Sequence, residues 1–455
     1  QGSMPKQILS AGWVVPIVPS GLVLEDHSIV VEDEQILDVL PTKEVSGKYP
    51  DVPVTFSSPS SVLMPGFVNC HTHSAMTLLR GLADDLELMP WLNNHIWPAE
   101  GKFAGAEFVE DGTRVAMAEM IKGGTTCFND MYFFPAEIAK VAEEGGMRAF
   151  VGLICIGFPS SYCGSPDKSM EENIKAYIGK GMEIREEVMS KLARVRPTIA
   201  PHAPYTCGEE GMKYAGEKAR ELKVPFHIHL HETSGECSDW MDNKSERPLK
   251  TLERLGLVDE RLVAVHMTQL DDEEIELLAK RGANVIHCPE SNMKLASGAC
   301  PVWKLMKKGV NMGLGTDGCA SNNDLDMWCE MRIAAFLGKL IANDPEAVPA
   351  EKALHMATMG GARALGASEL IGSLEKGKRA DIQAVNMDGL ESSPMYNIIS
   401  HLVYCTGRTQ VTDVWVDGQR LLQERKLTTL DEESLKQKAH AWGTKIKESS
   451  FHKIG

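Results

Sequence analysis

The stretch LMPGFVNCHTHSAMTLLRG, from Leu63 to Gly81, carries an apolar run into a His-Thr-His triplet. If Phe67 to His73 is a strand, its period of two sets His71 and His73 on one face, and two imidazoles point at one spot. Imidazole suits zinc and its first-row neighbours, and a catalytic ion needs further protein ligands plus a position left for water. One His-x-His pair cannot make such a site, so its partners must lie downstream. The candidates are His202 in RPTIAPHAPYT, the three histidines of PFHIHLHET with Glu232 behind them, His266 in LVAVHMT, and Asp317 in NMGLGTDG. Each alone has an ordinary reading: His202 beside prolines as a loop cap, His266 as a core histidine, Asp317 before Gly318 as a turn residue. The period of two puts His227, His229 and His231 on one face and does not choose among them.

What could bring such residues together is a repeated strand and helix. Eight apolar runs, VLMPGFVNCHTH, TTCFNDM, RAFVGLICI, RPTIAPHAPYT, PFHIHLHET, LVAVHMT, NVIHCPESN and NMGLGTDG, are mostly separated by amphipathic helical stretches such as EEGMKYAGEKARELK and EEIELLAKRG. Strand then helix, repeated eight times, predicts a (β/α)8 TIM-like barrel, an α/β fold in which active-site groups sit at the C-terminal ends of strands. The polar, metal-competent residues fall at those ends: His71 and His73 on the first strand, His202 on the fourth, His229 and Glu232 on the fifth, His266 on the sixth and Asp317 on the eighth. The flanks have another texture. ILSAGWVVPIV and SIVVEDEQILDVLP near the N-terminus, and GSLEKGKRADIQAVN and VTDVWVDGQRLLQ near the C-terminus, are short strands with turns at Lys376-Gly377 and Asp417-Gly418. They are expected to pair as one small, discontinuous β-sandwich domain. The expected division is residues 4–62 and 369–455 in that domain, the latter with a C-terminal helix, and residues 63–368 in the metal-dependent barrel.

The chain has 455 residues, 43% hydrophobic and 24% charged, as in an ordinary globular protein. No apolar run reaches the roughly 18 to 20 residues of a membrane span, and no signal-peptide pattern is seen. Gln1-Gly2-Ser3 before Met4 reads as a cloning remnant, so Met4 is the expected natural start. The formal charge of −16 argues against nucleic acid and suits a neutral or cationic small molecule, although a solvated acidic surface accounts for it equally well. Eleven cysteines without a Cys-x-x-Cys pair, mostly inside apolar runs, point to reduced thiols in a cytoplasmic protein.

With HTH, HIHLHET, AVHMT and GTDGCASNN in this order, and with SAMTLLRGLADDL, PHAPYT and PESNMKLASG between and around them, the chain resembles the amidohydrolase superfamily. Within it, the chain looks most like the methylthioadenosine/S-adenosylhomocysteine deaminases, from Met4 to about Ile446. The resemblance implies one divalent metal, most often zinc, held by His71, His73, His229 and Asp317; the family's His-x-x-Glu spacing is what selects His229 with Glu232. It implies Glu232, His266 and Asp317 as catalytic groups, with Glu232 and Asp317 also facing the substrate. It implies an adenine nucleoside substrate, with Glu100 for the ribose hydroxyls, His202 against the purine or ribose, and Trp91 as a stacking wall. Homo-oligomers are common among such proteins, and one is expected here. The Asp84 to Gly105 segment is either a lid or a subunit contact.

One departure bears on substrate. Relatives that accept S-adenosylhomocysteine resemble each other in an arginine after the third strand, a bidentate partner for the amino-acid carboxylate. Here that region reads VGLICIGFPSSYCG, and no arginine lies between Arg148, at the wrong end of the strand, and Arg185. A 5'-methylthioadenosine preference is expected, with adenosine and 5'-deoxyadenosine accepted and S-adenosylhomocysteine weak. The alternatives are another one-metal amidohydrolase (a guanine or cytosine deaminase or a triazine chlorohydrolase), which shares the metal set, and a relative that has lost its chemistry. A dinuclear hydantoinase type is disfavoured because RPTIAPHAPYT offers no bridging lysine.

Overall fold

A computed structural model describes residues 3–449; Gln1 and Gly2 of the expected remnant, and the chain beyond 449, lie outside it. Two sheets organise the chain. In the first, strands β1 (Gln7–Val14), β2 (Leu24–Glu32), β3 (Gln35–Pro41) and β4 (Val54–Pro65) come from the N-terminal segment. The second sheet is formed by β5 (Phe67–Thr72), β6 (Thr125–Asp130), β7 (Arg148–Cys155), β8 (Val195–Pro201), β9 (Phe226–Leu230), β10 (Leu262–His266), β11 (Asn284–His287) and β12 (Asn311–Leu314). The chain then returns to the first sheet with β13 (Ile382–Asn386), β14 (Val411–Val416), β15 (Gln419–Gln423) and β16 (Lys426–Leu427).

Strands β5 to β12 pair in sequence order, every pair parallel. Parallel strands enclosed by helices are buried on both faces and are written as continuous apolar runs. β7, RAFVGLIC, is buried at all eight positions. The seam between β12 and β5 is closed by polar contacts: the Asp317 N–H donates to His71 O over 2.9 Å, and Asn69 and Thr316 exchange hydrogen bonds of 2.8 and 3.1 Å. Gly315 permits this closure, because a Cβ there would stand 2.7 Å from that of His71. All eight runs expected as barrel strands contain one.

The terminal segments form one eight-stranded sheet in the order β16-β15-β14-β13-β4-β1-β2-β3. β1 and β4 are parallel and the other neighbours antiparallel. β3, QILDVLP, alternates between buried and more accessible positions, the pattern of a strand with one face on a core. β4 runs three residues past the expected junction at 62/63, because Ile382 of β13 pairs with Pro65. Only Gly66 then separates the two sheets, and a Cβ there would meet the Thr126 side chain at 2.1 Å.

A C-terminal helix, Glu432–Glu448, packs on the barrel helix Ala106–Lys122, where Trp442 Nε1 and Lys438 Nζ both reach the buried Asp111 carboxylate at 3.0 and 3.1 Å. Among the described residues no helix is long and apolar enough to cross a membrane. All eleven cysteines are free thiols, eight of them buried.

Candidate metal centre and substrate pocket

The ends of β5 and β9 and the turn after β12 bring four side chains to one point. His71 Nε2 and His73 Nε2 each lie 3.1 Å from Asp317 Oδ1, and His229 Nε2 lies 3.2 and 3.3 Å from the same two nitrogens. Donors bound tetrahedrally at zinc distances stand about 3.3 Å apart. Each ring has its far nitrogen engaged. His73 Nδ1 donates to Met131 O over 2.6 Å and His229 Nδ1 to His202 O over 2.6 Å, which puts a proton on Nδ1 and leaves Nε2 as the nitrogen that faces the cluster and can bind a cation once unprotonated. Three such nitrogens and a carboxylate oxygen facing one another form a donor set for one small divalent cation.

The sequence left three histidines open on β9, and their surroundings separate them. His227 Nε2 contacts His71 Nδ1 at 2.9 Å, behind the cluster. His231 is turned away by a φ of +48°; its Nδ1 donates to Gln269 O at 2.8 Å and its Nε2 accepts from the Leu249 N–H at 2.9 Å. His229 alone of the three reaches the cluster.

Asp317 has two faces. Oδ1 meets the imidazoles, and Oδ2 accepts from Ser291 Oγ at 2.8 Å and looks toward His266 Nε2 at 3.7 Å. Its backbone adopts φ +62°, a left-handed conformation that aspartate tolerates better than most residues. Burial alone would raise this carboxyl, but His71 and His73 hold it well below the ordinary range. His266 Nδ1 is 2.8 Å from Asn292 Oδ1, and its Nε2 lies 3.4 Å from Glu232 Oε1 without a hydrogen-bond partner. Glu232 is pushed up to about 8, first by burial and then by the Asp317 charge. Both effects favour its protonated form.

A partly open cavity of about 60 Å³ lies directly on this cluster. His73, His229, Glu232 and Asp317 form part of its wall and Ile154, Ile156 and Met131 another part. The 84–105 segment folds across it as the helices Leu88–Trp91 and Trp97–Phe103 joined by a π-turn, and supplies Leu88, Trp91, Leu92, Trp97 and Glu100. Burial pushes Glu100 up to about 7. His202 also lines the cavity, its Nδ1 on Thr206 Oγ1 at 2.9 Å, and burial followed by the nearby His73 and His71 lowers it to about 3. Among the described residues no lysine or arginine lines the cavity. Arg148 opens β7 at the far end of the barrel, bound to Asp381 and Asp417 of the terminal sheet.

Every residue proposed from the sequence as a ligand, catalyst or substrate contact thus belongs to one cluster or to the cavity above it. Sequence reasoning did not single out Ser291 and Asn292, which hold Asp317 and His266, although both stand in the quoted PESN motif. It also passed over Trp97 and Tyr132, which share the cavity wall. Tyr132 follows β6 by two residues, and the rule that polar groups at C-terminal strand ends carry function would have found it.

Residues 62–421 match the model of the Amidohydrolase family. The chain is 45% identical over 439 residues to the 5-methylthioadenosine/S-adenosylhomocysteine deaminase of Saccharophagus degradans, covering 96% of each. Among solved structures it is similar to a zinc-bound adenosine deaminase from Xanthomonas campestris, with 46% identity, a TM-score of 0.94, and 98% and 99% of the two chains covered. An atrazine chlorohydrolase from Arthrobacter aurescens, at 22% identity and a TM-score of 0.87 over 96% and 99% of the chains, shares the fold. A buried cluster of three histidines and one aspartate at the mouth of a parallel barrel, and a family match that runs through it, make this chain a member of the amidohydrolase family.

Proposed function

We propose that the protein is a hydrolytic deaminase of adenine nucleosides that prefers 5'-methylthioadenosine, releasing ammonia and the inosine analogue. The observation that carries the reading is the cavity wall: protonatable carboxyls at Glu232 and Glu100, an otherwise mostly apolar lining beyond the metal-competent cluster, and no lysine or arginine among the described residues. A methylthio group is at home in such a wall. An amino-acid carboxylate would be buried there unpaired, at a cost of several kcal/mol by order of magnitude.

His71, His73, His229 and Asp317 would hold the divalent metal, which as a Lewis acid lowers the pKa of a bound water toward about 7. The remaining work falls to side chains. Glu232, whose burial favours the protonated form, donates to N1 of the adenine ring, which makes C6 electrophilic. His266, its Nε2 free and its Nδ1 held by Asn292, takes a hydrogen bond from the attacking water and fixes its direction. Asp317, through the Oδ2 that Ser291 orients, receives the water's first proton and passes it to the exocyclic amine; as the C6–N bond breaks and ammonia leaves, the remaining hydroxyl proton returns to Glu232 and C6 becomes the carbonyl of the inosine analogue. Glu100 accepts from the ribose hydroxyls. Amidohydrolases that act on free bases or triazines would leave this buried carboxyl without a partner. Self-association, expected from the resemblance, would cover Phe336, Leu340 and Ile341, exposed on the helix Met327–Ala342, and light scattering reads it.

Ammonia release and adenine absorbance, followed with 5'-methylthioadenosine, adenosine, 5'-deoxyadenosine and S-adenosylhomocysteine, test the reading. The expected kcat/KM is highest for the first and lowest for the last. Equal or better turnover of S-adenosylhomocysteine would overturn the pocket assignment.

A further inference from the structure

Buried donors without acceptors are rare in native proteins, and each calls for a physical reason. Two line the cavity above the cluster: the indole Nε1–H of Trp91 and the hydroxyl of Tyr132, in side chains 6% and 2% exposed. The indole finds no hydrogen-bond partner, and the Tyr132 hydroxyl meets no acceptor in good hydrogen-bond geometry, its one polar neighbour being Glu100, near enough for a weak bond that perturbs both protons. Burial and then the Glu100 charge keep the phenol well above its ordinary value, so it remains an O–H donor.

A vicinal diol brings two O–H donors and two oxygens with lone pairs. Glu100 as a carboxylate can accept both O–H groups but offers nothing to the diol oxygens. The missing complement is a donor beside Glu100, and the Tyr132 hydroxyl, buried there without a well-formed hydrogen bond, is one. We propose that Tyr132 is a further substrate-binding residue, donating its O–H to one ribose hydroxyl oxygen while Glu100 accepts from the diol. The assignment rests on the nucleoside reading above and adds to it a discrimination between ribose and deoxyribose. A site built to hydrogen-bond a substrate hydroxyl rejects the analogue that lacks it, because its own polar group stays buried and unpaired.

The test is Tyr132→Phe, zinc-loaded, assayed beside the wild type on adenosine, 2'-deoxyadenosine and 3'-deoxyadenosine. The variant loses about tenfold in kcat/KM on adenosine, mostly through KM, the usual size for one neutral hydrogen bond. On the one deoxynucleoside that lacks the accepted oxygen, the loss shrinks to less than about twofold, while the other keeps the full loss. The ligand-free variant unfolds close to the wild-type temperature, since the hydroxyl gives up at most a weak bond to Glu100. Equal losses on all three nucleosides, no loss on any, or a fall in kcat with KM unchanged would each overturn the assignment while leaving the deaminase reading intact. A wild type that turns over none of the three removes the nucleoside reading and Tyr132's role with it.

Discussion

The barrel buries ionisable groups at both ends and treats them in opposite ways. At the floor, Arg148 reaches Asp381 through Nε at 2.8 Å and Nη2 at 3.1 Å, and the same Nη2 meets Asp417. The Asp417 N–H in turn donates to Asp381 at 2.9 Å. Arg194 and Arg379 approach Asp417 as well, at 3.9 and 3.8 Å, so the charges there are paired and the hydrogen bonds shared between barrel and terminal sheet. At the mouth, Glu232, Glu100, Tyr132, Trp91 and His266 are as deeply buried, yet carboxyls are forced toward their neutral form and three polar atoms find no partner. Charge that is paired holds structure together. Charge and donors left wanting are reserved for something that arrives later, which is why perturbed protonation marks functional sites.

The contrast can be broken at either end. The largest effect is expected at the mouth. Glu232→Gln should lose about 10² to 10⁴ in kcat, the range for a general acid-base group, while atomic absorption still finds one metal per chain; retained activity would remove Glu232 from the mechanism. Chelation should abolish turnover, and zinc should restore it.

At the floor, Arg148→Met leaves two buried aspartates facing each other. It should cost about 3–5 kcal/mol of unfolding free energy, measured in urea, while the folded fraction keeps its KM. A KM shifted by more than a few fold would mean that the two ends are coupled.

The mouth should also be the end that destabilises the metal-free protein. Glu232 titrates at about 4.3 in an unfolded chain and at about 8 in the folded one. Between those values the native state binds the extra proton, so stability falls as pH rises and levels off above about 8. Glu232→Gln, stripped of metal, should therefore be more stable than the wild type by on the order of a few kcal/mol above pH 8, with the gap closing near about pH 4. A gap independent of pH would refute the assignment. The smallest effect is expected away from both ends: Trp442→Phe removes one hydrogen bond to Asp111 and should lower stability by about 1 kcal/mol without touching activity.

Much of this was legible in the chain. Continuous apolar runs such as RAFVGLIC announce strands buried on both faces, and the metal-competent residues follow those runs at their C-terminal ends. Glu100 and Trp91, by contrast, came from family resemblance, because nothing in HIWPAEG or PWLNN distinguishes a cavity wall from an ordinary helix. Periodicity failed where it had to, at His227, His229 and His231. Alternation reports which face a residue occupies but not how far along the barrel axis it sits, and that height decides between a ligand and its support. The partner of Arg148 was equally hidden, since Asp381 and Asp417 lie more than two hundred residues away. The strand β4 outran its expected end for a similar reason, its extent being set by pairing with β13.

That pairing has a consequence for biosynthesis. β4 leaves the ribosome early and takes β1 along one edge, but its other edge waits for β13, some three hundred residues later. Through that interval the growing chain carries an apolar strand edge, VLMP, open to any neighbouring strand. Protection by a chaperone, or rapid collapse of the first barrel units over it, is what the order of the sheet demands of the cell.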